Sequence, residues 1–212
     1  MKRLLLILFV SVPLALSAQE YADTALFQGA NLKLDLGNSV FEPLRSKGDI
    51  LSFEGSLNFD VMHRFFPTLD LGYAQSDLSA ASGSFRGKGG FARIGMDLSA
   101  LKKRREMNML LVGLRVGTAV QGCSTRDVVI GNGYWGYSTE NYLGRVRADV
   151  WGEVVAGLQV QVYRKFHMGW YVRYKILFSR GKNGAVTAYY IPGYGYKQDT
   201  NFSFNYFIGF KL

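Results

Sequence analysis

Apolar and polar residues alternate along most of this chain, and this alternation restricts the fold more than any other feature. A β-strand points successive side chains to opposite faces, so a period of two predicts strands with one apolar and one polar face. Eight segments of roughly ten residues show the pattern, and they begin near Asn31, Leu51, Thr68, Ala92, Leu110, Asp149, Trp170 and Phe202. Helical periodicity is hard to find. The sequence therefore predicts an all-β chain with eight strands.

The connections between these segments alternate in length. The long ones span about residues 38–48, 75–89, 122–144 and 180–200, and the short ones span about residues 63–67, 99–106 and 163–168. In an antiparallel arrangement, every long connection then lies at one end and both termini lie at the other. Transmembrane barrels have this asymmetry, and about ten residues suffice for a tilted strand to cross a bilayer. The pattern predicts an eight-stranded antiparallel up-and-down transmembrane β-barrel.

The polar face of the predicted strands carries small residues together with charges of both signs. The small residues are Ser52, Ser56, Gly72, Gly95, Gly113, Gly117, Gly157, Ser203 and Gly209. The charged residues are Lys33, Asp35, Glu54, Asp60, Asp70, Arg93, Asp97, Arg115, Arg147, Asp149, Glu153, Arg173 and Lys175. An eight-stranded lumen is only just wide enough for side chains, and charges buried there have to be paired. We therefore expect the polar face inside and the lumen filled. A soluble ligand-binding barrel, which would reverse the faces, stays open as an alternative.

Aromatic residues form two groups, one near each end of the predicted barrel. The group near the short connections is Phe65, Phe66, Tyr163, Phe166 and Trp170, and the other is Tyr137, Tyr142, Phe178, Tyr189 and Tyr190. Two such groups are typical of the aromatic girdles of membrane barrels. The simpler interpretation, that aromatic residues merely favour strands, stays open as well.

Residues 1–18 have the features of a secretory signal peptide. Lys2 and Arg3 precede an apolar run from Leu4 to Val12, and small residues around Ala18 suit a cleavage site. The apolar run is too short to span a bilayer. The expected domains are a signal peptide, residues 1–18, and a single outer-membrane β-barrel domain, residues 19–212. Because no cysteine lies near the cleavage site, a lipoprotein is not expected.

The chain is basic, with a net charge of +9 that falls to +7 when Lys2 and Arg3 leave with the signal peptide. A basic balance often indicates nucleic acid, but an exported protein rarely meets any, so no nucleic-acid partner is predicted. The expected partners are outer-membrane lipid and phosphorylated glycolipid. The densest basic run, KKRR at residues 102–105, is either an ordinary solvated turn or a contact for lipid phosphates or a periplasmic partner.

The last eleven residues, FSFNYFIGFKL, end the chain in an apolar strand that would fray if it were left unburied in water. This ending resembles the C-terminal signal of Gram-negative outer-membrane proteins, which the barrel-assembly machinery recognises. The matching positions are Tyr206, Ile208, Phe210 and Leu212. Phe usually stands last in those proteins, so Leu212 departs from the pattern and Phe210 lies two residues early. Pairing of this strand with the first would remove both sheet edges.

The whole predicted mature chain resembles the small eight-stranded barrels of the OmpA/OmpX type. The SAQ sequence of the leader and the connections rich in Tyr and Gly resemble those of uncharacterised outer-membrane proteins of Bacteroidetes. The resemblance implies an architecture and a location in the outer membrane of a Gram-negative bacterium. It implies no activity.

No set of residues predicts catalysis, a cofactor or a metal. Outer-membrane barrel enzymes resemble one another in using a His near the external rim, whereas His63 and His167 fall in the short turns at the opposite end and are expected there as interfacial turn residues. The motif GNGYWG, residues 131–136, lacks the following helix that a dinucleotide site needs. Cys123, the only cysteine, is expected in a loop and has no neighbouring ligands. A protein without enzyme activity is predicted, and an outer-leaflet lipid-modifying enzyme remains the alternative.

Two predicted external connections, GNGYWGYSTENY and AYYIPGYGYKQD, are rich in Tyr and Gly. Tyr offers a large, rigid surface with a polar tip, which suits recognition of a protein or a glycan. The candidate contact residues are Tyr134, Trp135, Tyr137, Tyr142, Tyr189, Tyr190, Tyr194 and Tyr196. The alternative is that these residues only cap the barrel. The sequence thus predicts an outer-membrane barrel of structural or surface-interaction type.

Overall fold

Eight long strands form a closed barrel in the computed structural model. The structure describes residues 27–37, 39, 44, 46, 48–62, 64–80, 83–101, 108–131, 137–179, 188–196 and 198–212. The wall strands are β1 (Phe27–Asp35), β2 (Ile50–Val61), β3 (Phe65–Ala80), β4 (Gly83–Ser99), β5 (Met109–Gly131), β6 (Tyr137–Tyr163), β7 (Phe166–Ser179) and β10 (Thr200–Lys211). A small hairpin, β8 (Tyr190–Ile191) and β9 (Gly195–Tyr196), lies between β7 and β10 in the chain.

Each wall strand pairs antiparallel with its neighbours in the chain, and the last strand pairs with the first. In the closing ladder, Leu32 lies opposite Phe210 and Leu34 lies opposite Ile208. Closure pairs the backbone groups of β1 with those of β10, so neither strand is left as an open sheet edge. The all-β fold and the eight-stranded antiparallel up-and-down barrel are confirmed. Among the described residues, no helix is long and apolar enough to cross a membrane.

The barrel has two different ends. At one end, which we call the short-turn end, the β6–β7 turn consists only of Arg164 and Lys165, and the β2–β3 connection spans residues 62–64. The β4–β5 connection and the chain terminus at Leu212 lie at this end too. The opposite end, which we call the hairpin end, carries the β3–β4 and β5–β6 hairpins. Residues 1–26, which include the predicted signal peptide, lie outside the described residues.

The predicted facing of the strands is confirmed. Along β5, for example, Leu111 and Arg115 are buried in the barrel, while Val112 and Leu114 are about half exposed on its outer surface, at 48% and 56%. All thirteen charged residues assigned to the polar face are buried. This outcome follows from the alternation, because residues two positions apart on a strand point to the same side of the wall.

Seven of the eight wall strands are longer than the roughly ten residues that the alternation predicted, and β5 and β6 exceed that length most. The strand β5 has 23 residues and β6 has 27. The expected loop 122–144 is therefore mostly a ladder, in which Thr125 pairs with Tyr142 and Val128 with Glu140. In the expected loop 75–89, residues 75–80 are likewise paired with residues 83–88. Ladder bonds satisfy backbone groups that a loop would leave to water, so pairing continues where the side-chain signal is weak.

Small residues in the wall make room for large side chains in the lumen. A Cβ atom placed on Gly117 would overlap the indole of Trp151, and one placed on Gly157 would overlap the ring of Tyr171. Both rings are buried. The small wall residues that the sequence predicted are therefore needed for the filled interior, because an eight-stranded lumen has no spare width.

Candidate functional site

A network of arginines and carboxylates fills the middle of the lumen. The guanidinium of Arg93 contacts Glu54, and it lies 3.4 Å from Asp70 and 3.2 Å from Glu153. The indole N–H of Trp151 donates a 2.7 Å hydrogen bond to Glu153. These side chains come from β2, β3, β4 and β6, so the network connects opposite parts of the wall.

Two further arginines extend this network. Arg115 donates to Asp70 at 2.5 Å and to Asp97 at 2.7 Å, and Arg173 donates to Glu54 at 2.9 Å. These side chains are 2% exposed or less. Buried ions are tolerated only when they are paired, because leaving one unpaired costs several kcal/mol. We call Arg93, Arg115 and Arg173 together with Glu54, Asp70, Asp97 and Glu153 the ionic core.

Aromatic rings pack below the ionic core, towards the short-turn end. Lys33 donates a 2.7 Å hydrogen bond to the hydroxyl of Tyr171, and its ammonium lies 4.7 Å from the centre of the Phe207 ring. The Tyr171 and Phe207 rings stack with centroids 4.7 Å apart. Phe66 is buried in the same cluster, so its predicted place in an outer aromatic girdle was wrong. The alternation points Phe66 to the inside, one residue away from Phe65, which lies on the other face.

His167 also lies in the lumen. It was predicted as an interfacial turn residue, but it is the second residue of β7, fully buried, and its ring lies 6.4 Å from that of Phe207. The opposite residue on β10 is Gly209, which leaves the space that the imidazole fills. His63 lies outside the described residues.

The mouth of the barrel at the hairpin end is closed by residues 188–196, which we call the plug. Ile191 and Tyr194 of the plug are buried against Phe91 and Trp151 of the wall. Lys175 donates hydrogen bonds to the backbone carbonyls of Gly193, at 2.7 Å, and Tyr194, at 3.2 Å. A buried ammonium is thereby satisfied by the turn of the plug, which ties this segment to β7.

A second apolar cluster packs at the edge of the plug. Ala188 and Tyr190 of the plug contact Ile50, Phe85 and Cys123. Cys123 is 3% exposed on β5, so its predicted place in a loop was wrong. The prediction failed because β5 runs further than its alternation signal does.

The predicted Tyr contact residues divide into groups. Tyr189 and Tyr196 are exposed, at 60% and 49%. Tyr190 and Tyr194 are buried, at 7% and 1% exposed, so their predicted role as surface contacts is corrected, as is the place of Tyr190 in a girdle. The reason is that the plug folds into the mouth instead of standing outside it.

In the chain, the other four candidate contact residues lie in and around the β5–β6 hairpin. The backbones of Tyr137 and Tyr142 belong to β6, while Tyr134 and Trp135 lie outside the described residues. The Pro192–Gly193 pair inside YYIPGYGY is a turn signal that sequence reasoning missed. It marks the turn of the plug, although it does not say where the plug packs.

The outer surface of the wall is apolar. Side chains of this surface that are at least half exposed include Ile94 at 68%, Phe202 at 66% and Val146 at 63%. Others spread over the wall are Phe53, Leu71, Leu114, Val116, Val162, Phe204 and Phe178. Soluble monomers rarely expose apolar patches larger than a few hundred Å², so this surface needs an apolar environment or a partner.

The four residues of the predicted assembly signal lie on this outer surface, with Tyr206, Ile208 and Phe210 on β10 and Leu212 directly after it. Phe210 and Leu212 are exposed, at 49% and 62%. Tyr206 and Ile208 are half-buried, and the Tyr206 hydroxyl lies 2.9 Å from the sulfur of Met168 on β7. The same strand pairs with β1 and β7, so these side chains lie at the seam that closes the barrel.

Among the described residues, no group of three or more His, Cys, Asp or Glu side chains could hold a metal ion. A family model described as a domain of unknown function, DUF6048, matches residues 3–212. The chain belongs to the DUF6048 family. The comparisons with curated proteins and with solved structures found no match. The family description names no activity.

Removal of one arginine from the ionic core should destabilise the barrel strongly. Arg115→Met leaves Asp70 and Asp97 buried without their shared partner, and we expect the free energy of unfolding to fall by about 3–5 kcal/mol. Urea unfolding of the refolded protein in detergent micelles, followed by tryptophan fluorescence, measures this change.

Arg86→Met is the matched control, since Arg86 pairs with Asp77 on the surface with 62% and 42% of the two side chains exposed. It should change the unfolding free energy by less than about 1 kcal/mol. Adding Asp70→Asn and Asp97→Asn to Arg115→Met should restore part of the loss. Equal effects of the two arginine variants would contradict the role of the ionic core.

Proposed function

We propose that this DUF6048 protein is an outer-membrane β-barrel of a Gram-negative bacterium, with a structural or surface-interaction role and no enzyme activity. The observation that carries the proposal is the distribution of side chains across the wall. Charged groups such as Arg93 and Glu54 are buried inside, while Ile94 and Phe53, next to them in the chain, are 68% and 59% exposed outside. This is the reverse of a soluble protein and the arrangement of a barrel in lipid.

The magnitude of the exposed apolar surface supports the membrane over water. Leaving a large apolar side chain exposed forgoes about 1.5–3 kcal/mol relative to burying it. The outer surface carries such side chains on every wall strand, so a water-soluble form would forgo far more than the 5–15 kcal/mol by which domains are normally stable. A soluble ligand-binding barrel would also need an apolar lumen, whereas this lumen holds the ionic core.

Exposed aromatic residues at both ends of the wall support two membrane interfaces. Tyr163 and Phe210 are 64% and 49% exposed at the short-turn end. At the hairpin end, Phe178 on β7 is 65% exposed, and Tyr189 on the adjoining plug is 60% exposed. Aromatic rings favour the level of the lipid headgroups, where one side of the ring is apolar and the other is wet.

The position of His167 favours a protein without enzyme activity over an outer-leaflet lipid-modifying enzyme. A base or acid acting on outer-leaflet lipid has to lie near the external rim. His167 is buried in the lumen at the short-turn end, far along β7 from the hairpin end. In the proposed orientation, the hairpin end is external and His167 faces away from that leaflet.

The exposed tyrosines of the plug support a surface-interaction role. The Tyr196 ring lies edge-on to the buried Tyr190 ring, with centroids 5.8 Å apart, and Tyr189 lies edge-on to the buried Phe85. Rings fixed in this way lose little conformational entropy when they bind, which suits recognition of a protein or glycan.

Fractionation tests the membrane assignment directly. We expect the protein in the outer-membrane fraction, and we expect unboiled samples to migrate differently from boiled ones on a denaturing gel, because a closed barrel resists detergent until it is heated. Recovery of the mature chain as a soluble periplasmic monomer would overturn the proposal.

The lumen should not conduct ions. Planar-bilayer recordings of the refolded protein should show no large, steady conductance, because the ionic core and the plug together fill the lumen of the eight-stranded barrel. A variant in which a Gly–Ser linker replaces residues 188–196 should also stay closed, since Arg93 and Arg115 block the lumen below the plug. A porin-like channel in the unaltered protein would contradict the filled lumen.

Phe210→Asp should reduce the amount of assembled protein far more than its effect on stability explains. A carboxylate on the outer face near the interface costs about 1 kcal/mol or less, which should not unfold a barrel. A severe loss from the outer-membrane fraction would therefore indicate lost recognition by the assembly machinery.

Val162→Asp is the matched control for this experiment. Val162 lies one residue from the end of β6 and is 52% exposed, as Phe210 lies one residue from the end of β10 and is 49% exposed. The control should assemble nearly normally. If both variants assemble to the same level, the last strand is ordinary wall and carries no signal.

A further inference from the structure

Basic side chains predominate at the rim of the short-turn end. Among the described residues of this rim, the charged side chains that reach the surface are all cations: Arg64, Arg164, Lys165 and Lys211. We call these four the basic collar. Among the described residues, Asp60 near the end of β2 and Asp97 near the end of β4 are buried in the lumen, at 2% and 0% exposure. The described part of this rim is therefore positively charged.

The hairpin end does not share this bias. Among the described residues, its surface carries the acids Asp49, Asp77 and Asp199 and also the cations Arg86, Lys88 and Arg126. Two ends of one barrel therefore offer different electrostatic surfaces. A general need for solubility does not explain the difference, since mixed charges provide solubility equally well at both ends.

Two cations of the collar lie on aromatic rings at the margin of the apolar surface. The guanidinium of Arg164 lies 5.3 Å from the centre of the Tyr163 ring, and the ammonium of Lys165 lies 5.9 Å from the centre of the Phe210 ring. Both rings are about half or more exposed. Stacking of this kind holds a cation where the apolar band ends, which is the level of phosphate groups in a bilayer.

The backbone conformation of the β6–β7 turn does not require the two cations that it carries, Arg164 and Lys165. Arg164 has a φ of 44°, in the left-handed region, where two-residue hairpin turns favour Asn or Gly. The backbone is held from both sides: the side-chain amide of Gln161 donates to the Arg164 carbonyl, and the Lys211 N–H donates to the Lys165 carbonyl at 2.9 Å. Both side chains remain exposed, so the turn presents two cations from a fixed backbone.

From these observations we infer that the basic collar binds the phosphates of anionic phospholipid in the leaflet at the short-turn end. This inference rests on the proposed function, because it requires the barrel to lie in a bilayer. Guanidinium and ammonium groups form charge-assisted hydrogen bonds to phosphate oxygens, and each cation near an anionic surface adds to the attraction. The collar is continuous with the apolar wall, so one lipid can contact the wall with its chains and the collar with its headgroup.

Lipid selectivity of the folded barrel tests the inference. The mature chain is folded into phosphatidylcholine bilayers, and the immobilised fraction of spin-labelled phosphatidylglycerol is compared with that of spin-labelled phosphatidylcholine by electron paramagnetic resonance. We expect a preference of about fivefold for phosphatidylglycerol at low salt, falling as salt rises. The triple variant Arg164→Gln, Lys165→Gln and Lys211→Gln should lose most of this preference.

The triple variant Arg86→Gln, Lys88→Gln and Arg126→Gln removes the same number of cations from the hairpin end and should keep the preference. Heat-modifiable migration checks that every variant is folded. No preference in the unaltered protein, or equal loss in both triple variants, would overturn the inference while leaving the membrane barrel intact. Failure to insert into any bilayer would instead overturn the proposed function itself.

Discussion

The narrow closed lumen is the constraint on which the rest of this structure depends. Eight strands leave room only for side chains, and the register places thirteen charged groups in that space. Such groups are tolerable only when they are paired or hydrogen-bonded, and Arg93 shows how pairing joins the wall: it reaches Glu54, Asp70 and Glu153 on three other strands. The wall and the ionic core are therefore interdependent, because the wall supplies the burial and the core joins strands that do not pair directly.

The same constraint explains the asymmetry between the two ends. Lys175 lies above the ionic core, where the carboxylates are already engaged, and the carbonyls of Gly193 and Tyr194 in the plug satisfy it instead. The segment between β7 and β10 is thus drawn into the mouth, and only part of its aromatic surface stays outside. At the short-turn end, the two-residue β6–β7 turn is too short to fold inward, so Arg164 and Lys165 remain on the rim.

Alternation predicted most of the fold because it reports one local property, the side of the wall to which a residue points. It placed Arg93 and Asp97 inside and Ile94 outside, as the structure has them. It failed where the outcome depends on distant partners. Tyr194 is buried because Trp151 and Lys175 lie beneath it, and nothing within the plug sequence shows those neighbours. The true length of β6 was not predicted for a similar reason, because the half of β6 nearer the hairpin end is held by pairing with β5.

The two faces of the wall also specify the register of closure. A slip of one residue between β1 and β10 would turn Lys33 and Asp35 outward and Leu32 and Leu34 inward, because side chains alternate with a period of two. In the observed register, Lys33 reaches Tyr171 and Asp35 accepts a hydrogen bond from Asn205 at 2.5 Å. A slipped barrel would lose both contacts and expose two charges on an apolar surface. The wrong register is thus unfavourable on both faces at once, and β1 needs only nine residues to close the barrel correctly.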